Sequence, residues 1–417
     1  MESCIAVIGG GPAGLFAAIA ASGAGRRVTL FEKLPQTGRK LLATGGGKCN
    51  IGNTLDAAEL AAAFGRQGRF MLPALDVFYG KEMRDWFRER NVPISLEDDF
   101  HYFPASRRAG DVLACLLEEA ERCGVQIITG CAVTDWVTDG KRLAGVKTPD
   151  GKTYPADAVI LATGGRGYTA LGGGTSGYRL AELAGHSMIT PVPGLTGLQT
   201  VESWPGECSG LSLPDVEVRI GLPRETVRGR GELLFTRQGV SAFAVLDLAG
   251  RVAELLLKKE TVPLCIDLMP GRSREEWRQW FAEVRKHSGS KNLSRILADL
   301  FPKRLAVHLA GADDGPVARL TASGLERLLG DLTGLSLTIR ETDGWEKAMV
   351  THGGVKLKEI DPRTLASRCM TGLFFAGEVV DLDGPCGGYN LSWAMASGVL
   401  AGRSAAEWLC APARASI

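Results

Sequence analysis

The chain has 417 residues, and 48 Lys and Arg stand against 47 Asp and Glu for a formal net charge of +1. That balance gives no basic field for a nucleic acid and no acidic one for a cationic partner, so a small molecule is the default ligand. Hydrophobic residues at 45% and charged residues at 23% describe an ordinary soluble protein with a sizeable core, long enough for two or three domains.

Ten cysteines occur singly, with no C-x-x-C pair and no preceding secretory signal, which points to reduced thiols in a cytoplasm. The histidines at 101, 186, 287, 308 and 352 show no metal-ligand spacing, so no metal site is expected. The sequence contains no fixed-period repeat or low-complexity tract.

Residues 4–33, CIAVIGGGPAGLFAAIAASGAGRRVTLFEK, hold in order what a dinucleotide needs from a βαβ unit. Ile5, Val7 and Ile8 predict a buried strand that ends at Gly9, Gly11 and Gly14 in G-x-G-x-x-G spacing. Gly9 permits a sharp turn, Gly11 lets the backbone approach a pyrophosphate, and Gly14 lets a helix starting at Pro12 and Ala13 pack on the strand. The N-terminus of that helix is an anion site. A second strand, Val28 to Phe31, delivers Glu32 to the hydroxyls of an adenosine ribose, with Lys33 beside it. The apolar run Ile5–Ala21 is not a membrane or signal segment, given its glycines, the missing basic leader and the exit at Arg26 and Arg27.

Residues 38–53, GRKLLATGGGKCNIGN, read as a ligand-wrapping loop rather than a helix. Gly45, Gly46 and Gly47 can expose successive N–H groups, Arg39, Lys40 and Lys48 supply cations, and Cys49 and Asn50 follow. Helices are predicted at Asp56–Arg66, Phe70–Tyr79 and Lys81–Arg90, and FHYFPASRR from Phe100 to Arg108 reads as an aromatic, basic loop. An amphipathic helix over Asp111–Cys123 stops at Gly124. A strand from Val125 and an antiparallel meander through Ala132–Val137, Gly145–Lys147 and Thr153–Tyr154 follow, with Val133 a further candidate contact. The buried strand Ala158–Ala162 ends in Thr163 and Gly164, again a point of close backbone approach. The segment Gly165–Ala170 imitates a second G-x-G-x-x-A, but no helix follows until Ser176. One tightly held dinucleotide is therefore expected, with any nicotinamide visiting without a Rossmann domain of its own.

Pro191, Pro193, Pro205, Pro214 and Pro223 then punctuate short strands such as Val216–Ile220, which mark a β-rich insert. A helix at Ser241–Lys258, a strand at Val262–Ile266 and a capping box at Ser273–Glu276 open a helical stretch, and Leu335, Leu337 and Ile339 return as a strand. The expected organisation is a nucleotide-binding domain of 1–190 with 344–417. It is interrupted by a β-rich domain of 191–270 with 330–343, which carries a helical subdomain of 271–329.

The C-terminal segment completes the site. GLFFAGE is a buried strand ending at Gly377 and Glu378, and a flavin dinucleotide needs an acceptor for its ribityl hydroxyls, for which Glu378, Asp381 or Asp383 serve. Gly387 and Gly388 open a helix through Tyr389 and Asn390 to Leu409, with an inward stripe of Leu391, Ala394, Met395, Gly398, Ala401 and Ala405. Its N-terminus would stabilise negative charge on the pyrimidine edge of a reduced flavin.

Three separated motifs agree: G-x-G-x-x-G with Glu32, the stretch 38–53, and AMVTHGGVKLKEIDPRTLASRCMTGLFFAGEVVDLDGPCGGYNLSWAMASG. Together with GELLFTRQGVSAFAVL at 231–246, they resemble the bacterial BaiN/RdsA-like NAD(P)/FAD-dependent oxidoreductases, a family with aminoacetone-oxidase-like members. The resemblance spans nearly the whole chain. It implies an α/β fold: a Rossmann-type domain of the two-dinucleotide flavoprotein kind, interrupted by a β-rich domain with a helical subdomain. It also implies non-covalent FAD and NAD(P)H as a transient reductant. Where the family carries Gly-Pro after Val-Ser, this chain has Ala242-Phe243.

The expected reaction is hydride transfer through flavin N5 to a small unsaturated organic acceptor. The alternatives are an oxygen-dependent oxidation of an amine-like substrate and an FAD-containing nucleic-acid-modifying or partner-binding role. The catalytic acid–base group is not fixed by the sequence. Tyr389 and His352 are the candidates, and neither the substrate nor the oligomeric state is specified.

Overall fold

The structure, a computed structural model, describes residues 4–221 and 226–410. Pro223 lies outside the described residues. The chain divides into two compact units, one built from residues up to Val192 and from Val350 onward, the other from Pro193–Met349.

The first unit is built on a five-stranded sheet in the order Leu373–Phe375, Ala158–Leu161, Cys4–Ile8, Arg27–Phe31, Gln126–Ile128, and every pairing is parallel. Parallel strands buried on both faces read as continuous apolar runs: Cys4–Ile8 and Ala158–Leu161 are buried at every position. The first strand has its chain successor on one side and a later strand on the other. Open α/β sheets bind ligands at such a switch point, outside the carboxyl ends of the strands.

Helix Pro12–Gly23 follows the first strand, and helix Tyr389–Trp408 lies on it. Their closeness depends on Gly398 and Gly402, one turn apart, where an added Cβ would strike the carbonyl oxygens of Ala13 and Ala17. Met395, Gly398, Ala401 and Ala405 of the predicted stripe are buried, Leu391 and Ala394 only partly, and Gly402 joins the buried face. The meander forms as Asp135–Asp139, Arg142–Lys147 and Thr153–Pro155.

Three local expectations are corrected. The stretch 38–53, expected to be a ligand-wrapping loop without helix, contains the short helix Arg39–Ala43 anchored by buried Leu41, followed by a 3-10 turn Thr44–Gly47 in which Gly45 and Gly46 have φ of 57° and 64°. Residues 100–108 are not a loop either. His101–Pro104 pairs with Gly52–Asn53 and, through a tight turn whose Asp98 and Asp99 both have positive φ, with Ile94–Glu97; glycine or asparagine is the usual choice for such conformations. Asp-Asp lacks the usual glycine signal, which hid the turn. The helix expected at Phe70–Tyr79 is a 3-10 segment, Gly65–Met71, and one turn at Leu72–Leu75.

In the second unit, six strands close into a barrel in the order Leu198–Thr200, Gly239–Ser241, Thr226–Phe235, Ser212–Gly221, Val262–Asp267, Leu335–Thr342. Helix Arg274–Ser288 starts at a capping box in which Ser273 and Glu276 bond each other's backbone N–H. Its Trp277 and Phe281 share one core with Val218, Ile266 and Leu337 of the barrel, so barrel and helices bury apolar surface together. The helix expected at Ser241–Lys258 is broken into Phe243–Leu246 and Ala249–Leu256.

Candidate functional site

At the carboxyl end of the first strand the three glycines do different jobs. Gly9 has φ 108° and faces the Ala162 carbonyl, and an added Cβ at Gly14 would collide with the Gly9 carbonyl oxygen. At Gly11 an added Cβ meets nothing within 4 Å, so the space above the start of helix Pro12–Gly23 is open. Ala13 faces Gly377, which brings the first glycine turn against the last motif of the chain.

Glu32 stands at the end of the second strand and is 8% exposed. Its Oε2 accepts the Gly10 N–H at 2.7 Å and its Oε1 the Leu34 N–H at 2.8 Å, so the carboxylate is fixed with further lone pairs on both oxygens. The Glu32 backbone carbonyl accepts the Cys131 N–H at 2.9 Å, two residues before buried Val133. Lys33 is exposed. Thr163 and Gly164 close the Ala158–Leu161 strand, and Gly164, with φ 69°, also has open space above it.

A junction ties three distant motifs together. Lys40 Nζ lies 2.9 Å from Glu378 Oε2, and Glu378 Oε1 accepts the Thr351 N–H at 2.8 Å. Thr351 Oγ1 accepts the N–H groups of Arg166 and Gly167. Gly165 is a glycine because a Cβ there would clash with Thr351 and Glu378. Thr351 was not singled out in the sequence, although it lies within the quoted C-terminal motif. Tyr178 is buried beside the same junction, and burial holds its phenol well above the usual range.

Gly388, in a left-handed conformation, caps helix Tyr389–Trp408, and an added Cβ would strike Gly52. Asn53 Nδ2 donates to the Gly387 carbonyl at 3.1 Å, a further link missed in the sequence. Asn390 spends its amide on its own loop: Oδ1 accepts the Gly384 N–H and Nδ2 donates to the Gly384 carbonyl, each at 2.8 Å. Tyr389 packs its ring against Phe64. His352 Nδ1 lies 2.8 Å from Asp383 Oδ1, an arrangement in which a carboxylate fixes the tautomer and orientation of an imidazole.

Arg39 opens its short helix. Gly45 and Gly46 are exposed, Gly46 with nothing within 4 Å of an added Cβ. Cys49 is fully buried, and burial pushes its thiol up to about 12, so it is no thiolate at neutral pH. Asn50 keeps a buried Oδ1 without a hydrogen-bond partner among the described residues. Open approaches over Gly11 and Gly164, the fixed Glu32 carboxylate and the orphaned Asn50 oxygen are features that a bound dinucleotide fits.

Two further facts bear on partners. No helix among the described residues is long and apolar enough to cross a membrane. No disulfide joins any of the ten cysteines, all of which lie among the described residues.

Comparison with known proteins follows the same line. The chain is 33% identical over 410 residues to a 3-dehydro-bile acid delta(4,6)-reductase of Clostridium scindens, covering 97% of this chain and 99% of that one. It is 29% identical over 413 residues to a ribosomal RNA dihydrouridine synthase of Escherichia coli, covering 97% and 96%. The fold is shared with a 3-ketosteroid delta1-dehydrogenase of Sterolibacterium denitrificans, at TM-score 0.53 and 16% identity over 97% of this chain and 99% of that one. The profile of the HI0933-like protein Rossmann domain matches residues 3–404. A Rossmann sheet with its glycine turn and carboxylate, matched along nearly its whole length, places this chain in the HI0933-like family as a flavin oxidoreductase with a Rossmann-type FAD-binding fold.

Proposed function

We propose that this protein is a cytoplasmic reductase that holds FAD tightly but non-covalently, is reduced by NAD(P)H, and saturates a carbon–carbon double bond in a small organic substrate. The observation that carries the reading is the gathering of Glu32, the Gly9–Gly14 turn and the Lys40–Glu378–Thr351 junction at the carboxyl ends of the parallel strands.

FAD, when bound, supplies two-electron transfer from a nicotinamide to a substrate carbon. Glu32 would accept hydrogen bonds from the adenosine ribose and disfavour a 2′-phosphate, and the N-terminus of helix Pro12–Gly23 would take the pyrophosphate. Lys40, the 45–47 glycines and Asn50 would line the dinucleotide, and Glu378 or Asp383 would take ribityl hydroxyls. The N-terminus of helix Tyr389–Trp408 favours negative charge on the ring. His352, held by Asp383, would donate a proton to one substrate carbon while the other receives the hydride, consuming the double bond.

The bile-acid reductase relative supports an alicyclic enone as acceptor. An absorption spectrum of the purified protein, then anaerobic mixing with NADH or NADPH, tests the proposal. Flavin bands that bleach are expected, and their persistence at millimolar nucleotide would overturn it. Peroxide formed from amines without nicotinamide would mark the oxidase alternative instead.

A second reading, reduction of uridine in RNA, is favoured by the dihydrouridine synthase relatives. The net charge of +1 offers little phosphate attraction. Dihydrouridine measured in RNA incubated with the enzyme and NAD(P)H separates the two.

A further inference from the structure

His186 closes the turn after helix Ser176–Leu183, and its ring packs edge-on against Phe375 with centroids 4.7 Å apart. The side chain is 0% exposed. One ring nitrogen is accounted for: Nε2 lies 2.7 Å from Ser367 Oγ, and that oxygen also accepts the N–H groups of Cys369 and Met370 at 3.0 and 2.9 Å. The other, Nδ1, is buried without a hydrogen-bond partner. Yet Glu359 Oε2 is only 3.4 Å away, so the two atoms are adjacent without being aligned for a hydrogen bond.

Cys369 completes the group. A nitrogen of His186, a carboxylate oxygen of Glu359 and the Cys369 sulfur all lie within 4.8 Å of one another. In a tetrahedral zinc site, bonds of about 2.0–2.2 Å to nitrogen and oxygen put those ligands roughly 3.3–3.5 Å apart, and the His186–Glu359 separation falls in that interval. The mixture of imidazole, carboxylate and thiolate suits zinc and not magnesium or calcium.

The frame around the three groups is already tied. Glu359 Oε2 accepts the Ser187 N–H at 2.7 Å, the Arg368 N–H donates to the Glu359 carbonyl at 2.9 Å, and the Lys356 N–H donates to the Ser187 carbonyl at 3.0 Å. Ile360 pairs with Ser367. Ser367 Oγ meets Nε2, the ring nitrogen that faces away from the proposed metal, at 2.7 Å and fixes the orientation of the imidazole.

We propose that His186, Glu359 and Cys369 bind a zinc ion that clamps the turn after helix Ser176–Leu183 to the segment entering strand Leu373–Phe375. The fourth position is left to water. On binding, the Cys369 S–H bond is replaced by S–Zn and its proton passes to solvent.

The test uses the full chain, equilibrated with zinc sulfate at micromolar free zinc, desalted and analysed for metal. About one zinc per chain is expected, as for a single tetrahedral site. Cys369→Ser and His186→Gln should each weaken retention by about tenfold or more, while Cys410→Ser, at an exposed thiol, leaves it unchanged. In the wild-type chain, zinc should slow iodoacetamide labelling of Cys369, mapped by peptide mass spectrometry, without slowing that of Cys131. A wild-type chain that retains no zinc, a Cys369→Ser chain that retains it equally, or unprotected Cys369 would each overturn the proposal.

Discussion

Lys40 Nζ and Glu378 Oε2 lie 2.9 Å apart although 338 positions separate them in the chain. Their side chains are 25% and 20% exposed, so the pair is only partly screened by solvent. It joins the short helix after Gly38 to the turn after strand Leu373–Phe375, where the proposed FAD site takes shape. Lys40→Met should cost about 1 kcal/mol or less in stability, yet release FAD on dialysis faster than the wild type. Thermal unfolding and flavin absorbance after dialysis check both. A variant that retains flavin like the wild type would remove Lys40 from the site.

Glu32 answers two backbone N–H groups with one carboxylate. Glu32→Ala would leave the Gly10 and Leu34 donors unanswered at a cost of about 1–3 kcal/mol. Glu32→Gln keeps the shape but loses the charge and should weaken FAD binding by roughly tenfold to a hundredfold, the worth of a charged hydrogen bond. Fluorescence titration of flavin-stripped protein measures it.

His352 and Asp383 should act as a unit. If His352 supplies the proton, His352→Gln lowers turnover by about 10²–10⁴-fold with flavin content unchanged. Asp383→Asn should give a similar loss and shift the pH profile, because Asp383 positions the ring. Unaltered turnover in His352→Gln would assign the proton elsewhere.

Ala242 has φ 75° and ψ −178°, a region open essentially only to glycine and costing about 1–3 kcal/mol for other residues. Ala242→Gly should therefore raise stability by about 1 kcal/mol or more, seen as a higher unfolding midpoint. The family's glycine at this place is explained by the same geometry. An unchanged or lower midpoint would show that the strain is absent.

Glu119 is 6% exposed. Hydrogen bonds from Arg122, with further help from Arg90 and against the cost of burial, hold its carboxyl down at about 2. The folded value lies below the unfolded one near 4.5, so its contribution is complete above pH ~4.5 and is lost as the pH falls toward ~2. Glu119→Gln should be less stable than the wild type at neutral pH by about 1–3 kcal/mol, with the two curves converging on acidification. Denaturant unfolding at several pH values decides it.

The amino-acid sequence alone determined the dinucleotide unit, because a strand, a glycine turn, a helix and a carboxylate are specified within thirty neighbouring residues by local sterics and burial. Gly9, Gly11, Gly14 and Glu32 lie in that unit, whereas Gly388 and the family rest also on the separate motifs at 38–53, 231–246 and the C-terminal segment. Short-range misreadings, the hairpin at Asp98-Asp99 and the helix Arg39–Ala43, arose where tertiary packing overrode a weak local signal.

Only the tertiary structure decided which distant residues meet: Lys40 with Glu378, His352 with Asp383, Thr351 with Gly165, and His186 with Glu359 and Cys369. Histidine spacing excluded a metal at the sequence level, whereas folding brings residues 186, 359 and 369 within a few ångströms. The same holds for the closure of the barrel. Such meetings depend on the register of every intervening strand and helix, and no local stretch of sequence contains that information.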